Sequence, residues 1–255
     1  MSKLPQQYRF TDLSDYGRFI ARGIAGQLKK TSITPMHVTT WFIISGLLAI
    51  VSILNNHFFL AAFFLILKSV LDAADGELSR LKNTPSYVGR YYDSIADILL
   101  NFFFFLTFWY TTNESIFLML LAFIGVQLQG TLYNYYYVIL RNNVNGDVTS
   151  RIFEDHTPSA MIGETQHAVN IFYKVYNFLY IPFDKAIYWM DKGAMNSKPF
   201  PKWFMTMLSS FGLGFQLLLM AVLLVLHLEM YVIPFFILYS VFILVFISIR
   251  RWVLK

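Results

Sequence analysis

Long apolar runs separated by short polar turns dominate the chain. Six of them, at about 36–54, 58–82, 88–110, 116–140, 203–226 and 230–249, approach the roughly 20 residues needed to cross a hydrocarbon core of about 30 Å. The apolar residues are continuous and do not alternate, which argues against the dyad repeat of a membrane β-barrel. A helix satisfies its own backbone polar groups in lipid. The pattern therefore predicts an all-α membrane protein with six transmembrane helices. Upstream, Leu13, Tyr16, Ile20 and Ile24 recur at steps of three and four while Asp15, Arg18, Arg22, Lys29 and Lys30 fall largely elsewhere. That spacing predicts an amphipathic helix lying on the membrane surface.

The expected organisation is an N-terminal cytoplasmic segment, 1–35, carrying the surface helix, and a transmembrane domain, 36–255. An insert at about 141–202 interrupts the second part. It holds a polar loop and then an aromatic-rich stretch around Pro182 and Lys174, which reads as one or two interfacial helices and not as a seventh span.

Composition agrees with this reading. Hydrophobic residues make up 56% of the chain and charged residues 14%, against about a quarter charged in a soluble domain. Lys plus Arg at 20 exceed Asp plus Glu at 15, a balance that points to anionic headgroups; no aromatic-basic stripe suggests a nucleic-acid partner. Cysteine is absent, so thiolate metal ligands and disulfides are excluded. The first ten residues lack the apolar core of a cleavable signal, so the first span is expected to direct targeting. Basic residues precede the first span, fill the turn after the second (Arg80, Lys82), end the fourth (Arg141) and follow the sixth (Arg250, Arg251, Lys255), whereas the opposite turns carry none. Both termini are thus expected on the cytoplasmic side of a multi-pass protein.

The second run departs from the rest. Its clean apolar part, 58–67, is too short to span, and full length is reached only by including Lys68, Asp72, Asp75, Glu77 and Arg80. Charges at membrane depth are costly and normally face a bundle interior or a watery cavity, so function is expected here. On a helix, Lys68, Asp72, Gly76 and Arg80 form one four-step stripe with Asp75 beside it; after Pro85, Gly89, Asp93, Asp97 and Asn101 form a second. With a rise of about 1.5 Å per residue, Asp72 lies roughly 9 Å below the cytoplasmic boundary, and Asp93 and Asp97 about 7 and 13 Å deep. Four carboxylates at one level must be protonated or neutralised by cations. An all-oxygen set without Cys or a helix-spaced His favours Mg²⁺ or Mn²⁺, with Ca²⁺ competing, over zinc. Two such ions could clamp a pyrophosphate, Gly76 and Gly89 would let a nucleotide approach the backbone, and Arg80 could pair with a phosphate. The same carboxylates could instead line the path of a divalent-cation transporter, though a pathway does not require the paired glycines and the arginine. His37, His57, His156, His167 and His227 show no ligand spacing.

The pattern D-x2-D-G-x2-S-R-x8-G-x3-D-x3-D at Asp72, Asp75, Gly76, Ser79, Arg80, Gly89, Asp93 and Asp97 closely resembles the signature of the CDP-alcohol phosphotransferase family, which makes phospholipids and related phosphodiesters. The resemblance implies that Asp72, Asp75 and Asp93 hold the metals. It also implies that Asp97, close to the metals, is the general base, and that Gly76, Arg80 and Gly89 shape the CDP site. The acceptor hydroxyl would attack the donor's β-phosphorus and CMP would leave. The family usually has Ala at Ser79, a Thr-Pro-Asn run where this chain reads Thr34, Pro35, Met36, and often a basic residue at Ile98. Thr34 is retained as a candidate nucleotide contact. Lys68, Asn101, Arg90 and Arg141, with Lys202, are candidates for the acceptor side; Lys68 could equally serve to neutralise Asp72. At least one substrate would be a lipid: either CDP-diacylglycerol with a polar alcohol such as an inositol phosphate, or a CDP-headgroup with a lipid alcohol. Relatives also suggest a homodimer.

Overall fold

A computed structural model describes residues 4–144 and 156–254, and among these the chain is helical with no strand. Residues 145–155, the middle of the polar loop expected after Arg141, lie outside the described part. Helix α1 is Arg18–Leu28, one turn later than the apolar spacing predicts, because Leu13–Asp15 winds into a 3-10 turn under an Asp12 cap. Four long helices follow: α2 (Pro35–Leu54), α3 (Phe58–Lys82), α4 (Tyr87–Thr112) and α5 (Ile116–Asn143). Their ends are written locally. Thr34 and Ser86 cap α2 and α4, each accepting a hydrogen bond from the backbone three residues on, and Pro35 opens α2 where its missing N–H costs nothing. The three connecting turns each place an asparagine at positive φ, Asn56 (59°), Asn83 (52°) and Asn113 (53°), a residue type that tolerates the left-handed region.

Helix α6 is Gln166–Met190, a single helix in which Pro182 is accommodated. The remainder comprises α7 (Lys202–Leu208), α8 (Leu213–Val225), α9 (Val232–Tyr239) and α10 (Phe242–Trp252). Four helices, Pro35–Leu54, Tyr87–Thr112, Ile116–Asn143 and the continuous Glu229–Trp252, are long and apolar enough to cross a membrane, and a fifth is added if Lys202–Phe211 and Leu213–Val225 form one span. That pair is bent by 55°, where a straight span was expected. Ser14 of the N-terminal segment packs into the break, so that a Cβ at Gly214 would lie 2.0 Å from the Ser14 carbonyl oxygen and one at Gly212 2.4 Å from its side chain. The six expected spans are thus four or five by length and composition. The exception is α3, which has the length, 25 residues, but too many charges.

Packing explains how α3 tolerates those charges. It lies against α1, α2 and α8, while α4 lies against α2, α5 and α6; α3 and α4 scarcely touch. One apolar core joins α2, α3, α4, α5, α8 and α9 through fully buried Phe42, Leu65, Phe104, Phe105, Phe108 and Phe236. Because lipid is as apolar as leucine, interhelical polar contacts contribute to cohesion. Gln216 donates to the Gln129 side chain (3.0 Å), which donates to Ser240 Oγ (2.9 Å). The outer face of α2, with Ile44, Leu47, Leu48 and Val51, is exposed, as a lipid-facing surface would be. On α1 the protein-facing residues are small, Gly17, Ala21 and Ala25, while Phe19 and Ile20 point outward at 89% and 58% exposure.

Candidate active site

Three helices supply the site. From α3 and α4, one carboxylate oxygen each of Asp72, Asp75 and Asp93 lies within 4.8 Å of the others, so the stripes read from sequence do converge, with α2 flooring the gap between them. Thr39 of α2 donates its hydroxyl to Asp75 Oδ2 at 2.6 Å, fixing that carboxylate in a buried position. Asp93 Oδ1 is buried without a hydrogen-bond partner. A buried carboxylate oxygen left unpaired is expensive, and three clustered oxygens of this kind fit a hard divalent cation.

Asp97 is held apart from that trio. The fully buried Lys68 donates to Asp97 Oδ1 and, at 3.0 Å, to Asp72 Oδ2, and its ammonium sits 4.5 Å from the centre of the Phe42 ring. Lys68 therefore pairs with two of the acids and orients Asp97. One lysine cannot balance four ionised carboxylates, so the cluster must be protonated in part or take up a further cation.

The remaining expected residues fall into three places. Arg80 folds back over Gly76, its guanidinium nitrogens 3.6 and 3.7 Å from where a Cβ would stand, and pairs with Glu77 at 3.3 Å. Gly89 is explained locally as well: a Cβ there would come within 3.0 Å of Ser86 Oγ, the atom that caps its own amide at 2.7 Å. Asn101 is buried one turn beyond Asp97. Arg90 lies on α4 with its guanidinium 5.3 and 4.8 Å from the Tyr87 and Tyr91 ring centres. Thr34 is exposed and engaged as a helix cap, with His37 Nδ1 accepting from its backbone N–H at 3.0 Å, so its position is accounted for by α2 alone. Arg141 is buried at the end of α5, 5.8 Å from the Tyr137 ring, and Lys202 starts α7.

Several contributors were not legible beforehand. Thr39 and Phe42 stand on the face of α2 that meets the acids, and the only trace of this was a polar residue in an apolar run. Glu164 and Tyr180 belong to the insert. The Glu164 carboxylate accepts from Ser86 Oγ (2.6 Å) and the Val88 amide (2.7 Å) at the start of α4. Burial pushes its carboxyl up, but the hydrogen bonds from Ser86, Val88 and Met161 outweigh that and hold it below the usual glutamate range. Nothing in local sequence marks a contact across that separation.

Residues 32–164, just over half of the chain, match the CDP-alcohol phosphatidyltransferase family. The chain belongs to that family. Compared individually, no curated protein matches it. Family membership makes it a membrane transferase of phospho-alcohol groups from CDP-alcohols, and the acid trio lies inside the matched residues.

Proposed function

We propose that the chain transfers a phosphatidyl or phospho-headgroup from a CDP-linked donor to an acceptor hydroxyl and releases CMP, with one or two Mg²⁺ or Mn²⁺ held by Asp72, Asp75 and Asp93. The convergence of those three carboxylates, with a buried orphan oxygen on Asp93, carries this reading. When bound, the cations would neutralise the pyrophosphate and polarise the phosphorus under attack. Thr39 holds Asp75 for that task. Arg80, lying over Gly76, offers its guanidinium to a donor phosphate. Asp97, held by Lys68, removes the acceptor's hydroxyl proton. The acceptor oxygen then bonds to the β-phosphorus, the bond to the bridging pyrophosphate oxygen breaks, and the pair of electrons leaves with CMP.

Six spans, counting charged α3 and the bent pair, put both termini and the acids on the cytoplasmic side by the distribution of Lys and Arg. The N-terminal cytoplasmic segment, 1–35, carries an interfacial helix ahead of the transmembrane domain 36–255, a reading supported by Phe19 and Ile20 pointing outward beside Arg22, Lys29 and Lys30. The acids lie between helices of the apolar bundle, a setting that suits one soluble and one lipid substrate, and the exposed apolar faces leave room for a homodimer.

The discriminating experiment incubates purified protein and Mn²⁺ or Mg²⁺ with two donor classes, CDP-diacylglycerol and CDP-headgroups, each with polar or lipid alcohols, and follows CMP. Release with a single donor and acceptor class identifies the substrates. Failure of every CDP-alcohol to yield CMP, in protein that binds Mn²⁺, would discard the transfer reading.

A further inference from the structure

The two halves of the acid cluster sit on helices that barely meet. α3 is located by α1, α2 and α8, whereas α4 is located by α2, α5 and α6. α2 packs against both helices and Lys68 joins Asp72 to Asp97, so the separation between Asp72 and Asp75 on one side and Asp93 and Asp97 on the other is set by these together with a further element that holds α4. That element is the insert, and it grips α4 at three successive levels.

At the first level Glu164 accepts from Ser86 Oγ and the Val88 N–H, at 2.6 and 2.7 Å, while its second oxygen accepts from Met161 N–H at 3.1 Å. At the second, Tyr91 is fully buried with its ring 6.0 and 5.0 Å from those of Tyr173 and Tyr176 of α6. At the third, the Tyr180 hydroxyl donates at 2.7 Å to the backbone carbonyl of Ser94, the residue after Asp93 and within the turn that leads to Asp97. Tyr180 is steadied by stacking on Tyr176 at 4.8 Å. The far end of α6 is anchored too: Asp191, which caps it, is fully buried and accepts from Arg250 Nε and the Tyr136 hydroxyl, both at 2.6 Å. A helix fixed at both ends and bonded to α4 in between is a strut.

We propose that residues 164–191 brace α4 and set the position of Asp93 and Asp97 relative to α3, with Glu164 and Tyr180 as positioning residues. The role assigned to those aspartates rests on the transfer reading above. The matched family residues end at 164, so α6 itself lies beyond them.

The test uses the full-length protein with Tyr180→Phe, which removes only the hydroxyl, with Glu164→Ala, and with Glu164→Gln, which keeps an acceptor oxygen. Amide hydrogen exchange and the Mn²⁺ dependence of CMP release are read in parallel. Tyr180→Phe should speed exchange across residues 86–98 by roughly two- to tenfold, the loss of one hydrogen bond, and Glu164→Ala by more, since it removes two hydrogen bonds to that segment, both without changing exchange in α3. Each should raise the Mn²⁺ concentration for half-maximal CMP release by about tenfold, the scale seen for residues that support metal ligands, with donor KM unchanged. Glu164→Gln should restore most of both. Unchanged exchange at 86–98, exchange raised equally in every helix, or local loosening with wild-type Mn²⁺ dependence would each overturn the brace. Absence of CMP from the wild type would instead overturn the transfer reading, and the exchange data would still judge the brace.

Discussion

Two groups of buried or half-buried acids sit in this bundle, and they are built on opposite plans. Asp191 is fully buried and answered on every side: Arg250, Arg251 (3.4 Å) and the Tyr136 hydroxyl surround its carboxylate, and the Tyr135 hydroxyl bonds its carbonyl at 3.1 Å. Asp72, Asp75, Asp93 and Asp97 share one lysine and one threonine hydroxyl, and Asp93 keeps an orphan oxygen. A charge whose partners are all protein ties elements together. Charges that the protein leaves unbalanced are held in readiness for a ligand that brings positive charge. On the proposed function, the difference separates a structural acid at the insert's end from reactive acids between α3 and α4.

The comparison is broken most severely at Asp97. Asp97→Asn should lower turnover by on the order of 10²- to 10⁴-fold, the usual contribution of a positioned base, while Mn²⁺ binding persists; rapid-quench CMP release beside calorimetric Mn²⁺ titration separates the two, and unchanged turnover would remove Asp97 as base. At the other site, Asp191→Ala leaves Arg250 and Arg251 without their buried partner. It should cost about 3–5 kcal/mol of stability, visible as a lowered unfolding midpoint in detergent, yet leave Mn²⁺ affinity within a few-fold of wild type. Lys68→Met removes the one cation of the acid cluster and the hold on Asp97. Turnover is expected to fall about tenfold to a hundredfold, a loss that persists at temperatures where the variant is fully folded; a large loss of stability with normal kinetics in the folded variant would instead class Lys68 with Arg250. Smallest of all, Thr39→Val deletes a single bond to Asp75, worth roughly 1 kcal/mol, and should weaken Mn²⁺ binding about fivefold.

The acid site was legible in the sequence because helical spacing alone aligns Asp72 with Lys68 and Asp93 with Asp97, and because charge inside an apolar run stands out. The long helices were legible for the same reason, with α2 and α3 ending where the polar turns begin. What escaped depends on partners distant in sequence. The 55° bend before α8 receives Ser14, some two hundred residues away, at Gly212 and Gly214. The stretch around Pro182 was read as one or two interfacial helices; α6 is one helix, and its hold on α4 through Tyr173, Tyr176 and Tyr180 is what the sequence did not show. Arg250 and Arg251 read as markers of membrane side, and only the fold shows them closing on Asp191. Thr34 matched a family position but is occupied with capping α2, which local chain geometry alone explains.

On the proposed function, the unbalanced carboxylates serve a reaction and not a conduction path. Reconstitution in liposomes with Mn²⁺, a CDP-alcohol and its acceptor, following CMP and Mn²⁺ entry in the same sample, tests it most directly. The account predicts CMP release that requires both Mn²⁺ and acceptor and is lost in Asp97→Asn, with no Mn²⁺ entry above protein-free vesicles. Mn²⁺ entry without CMP from any donor would contradict it.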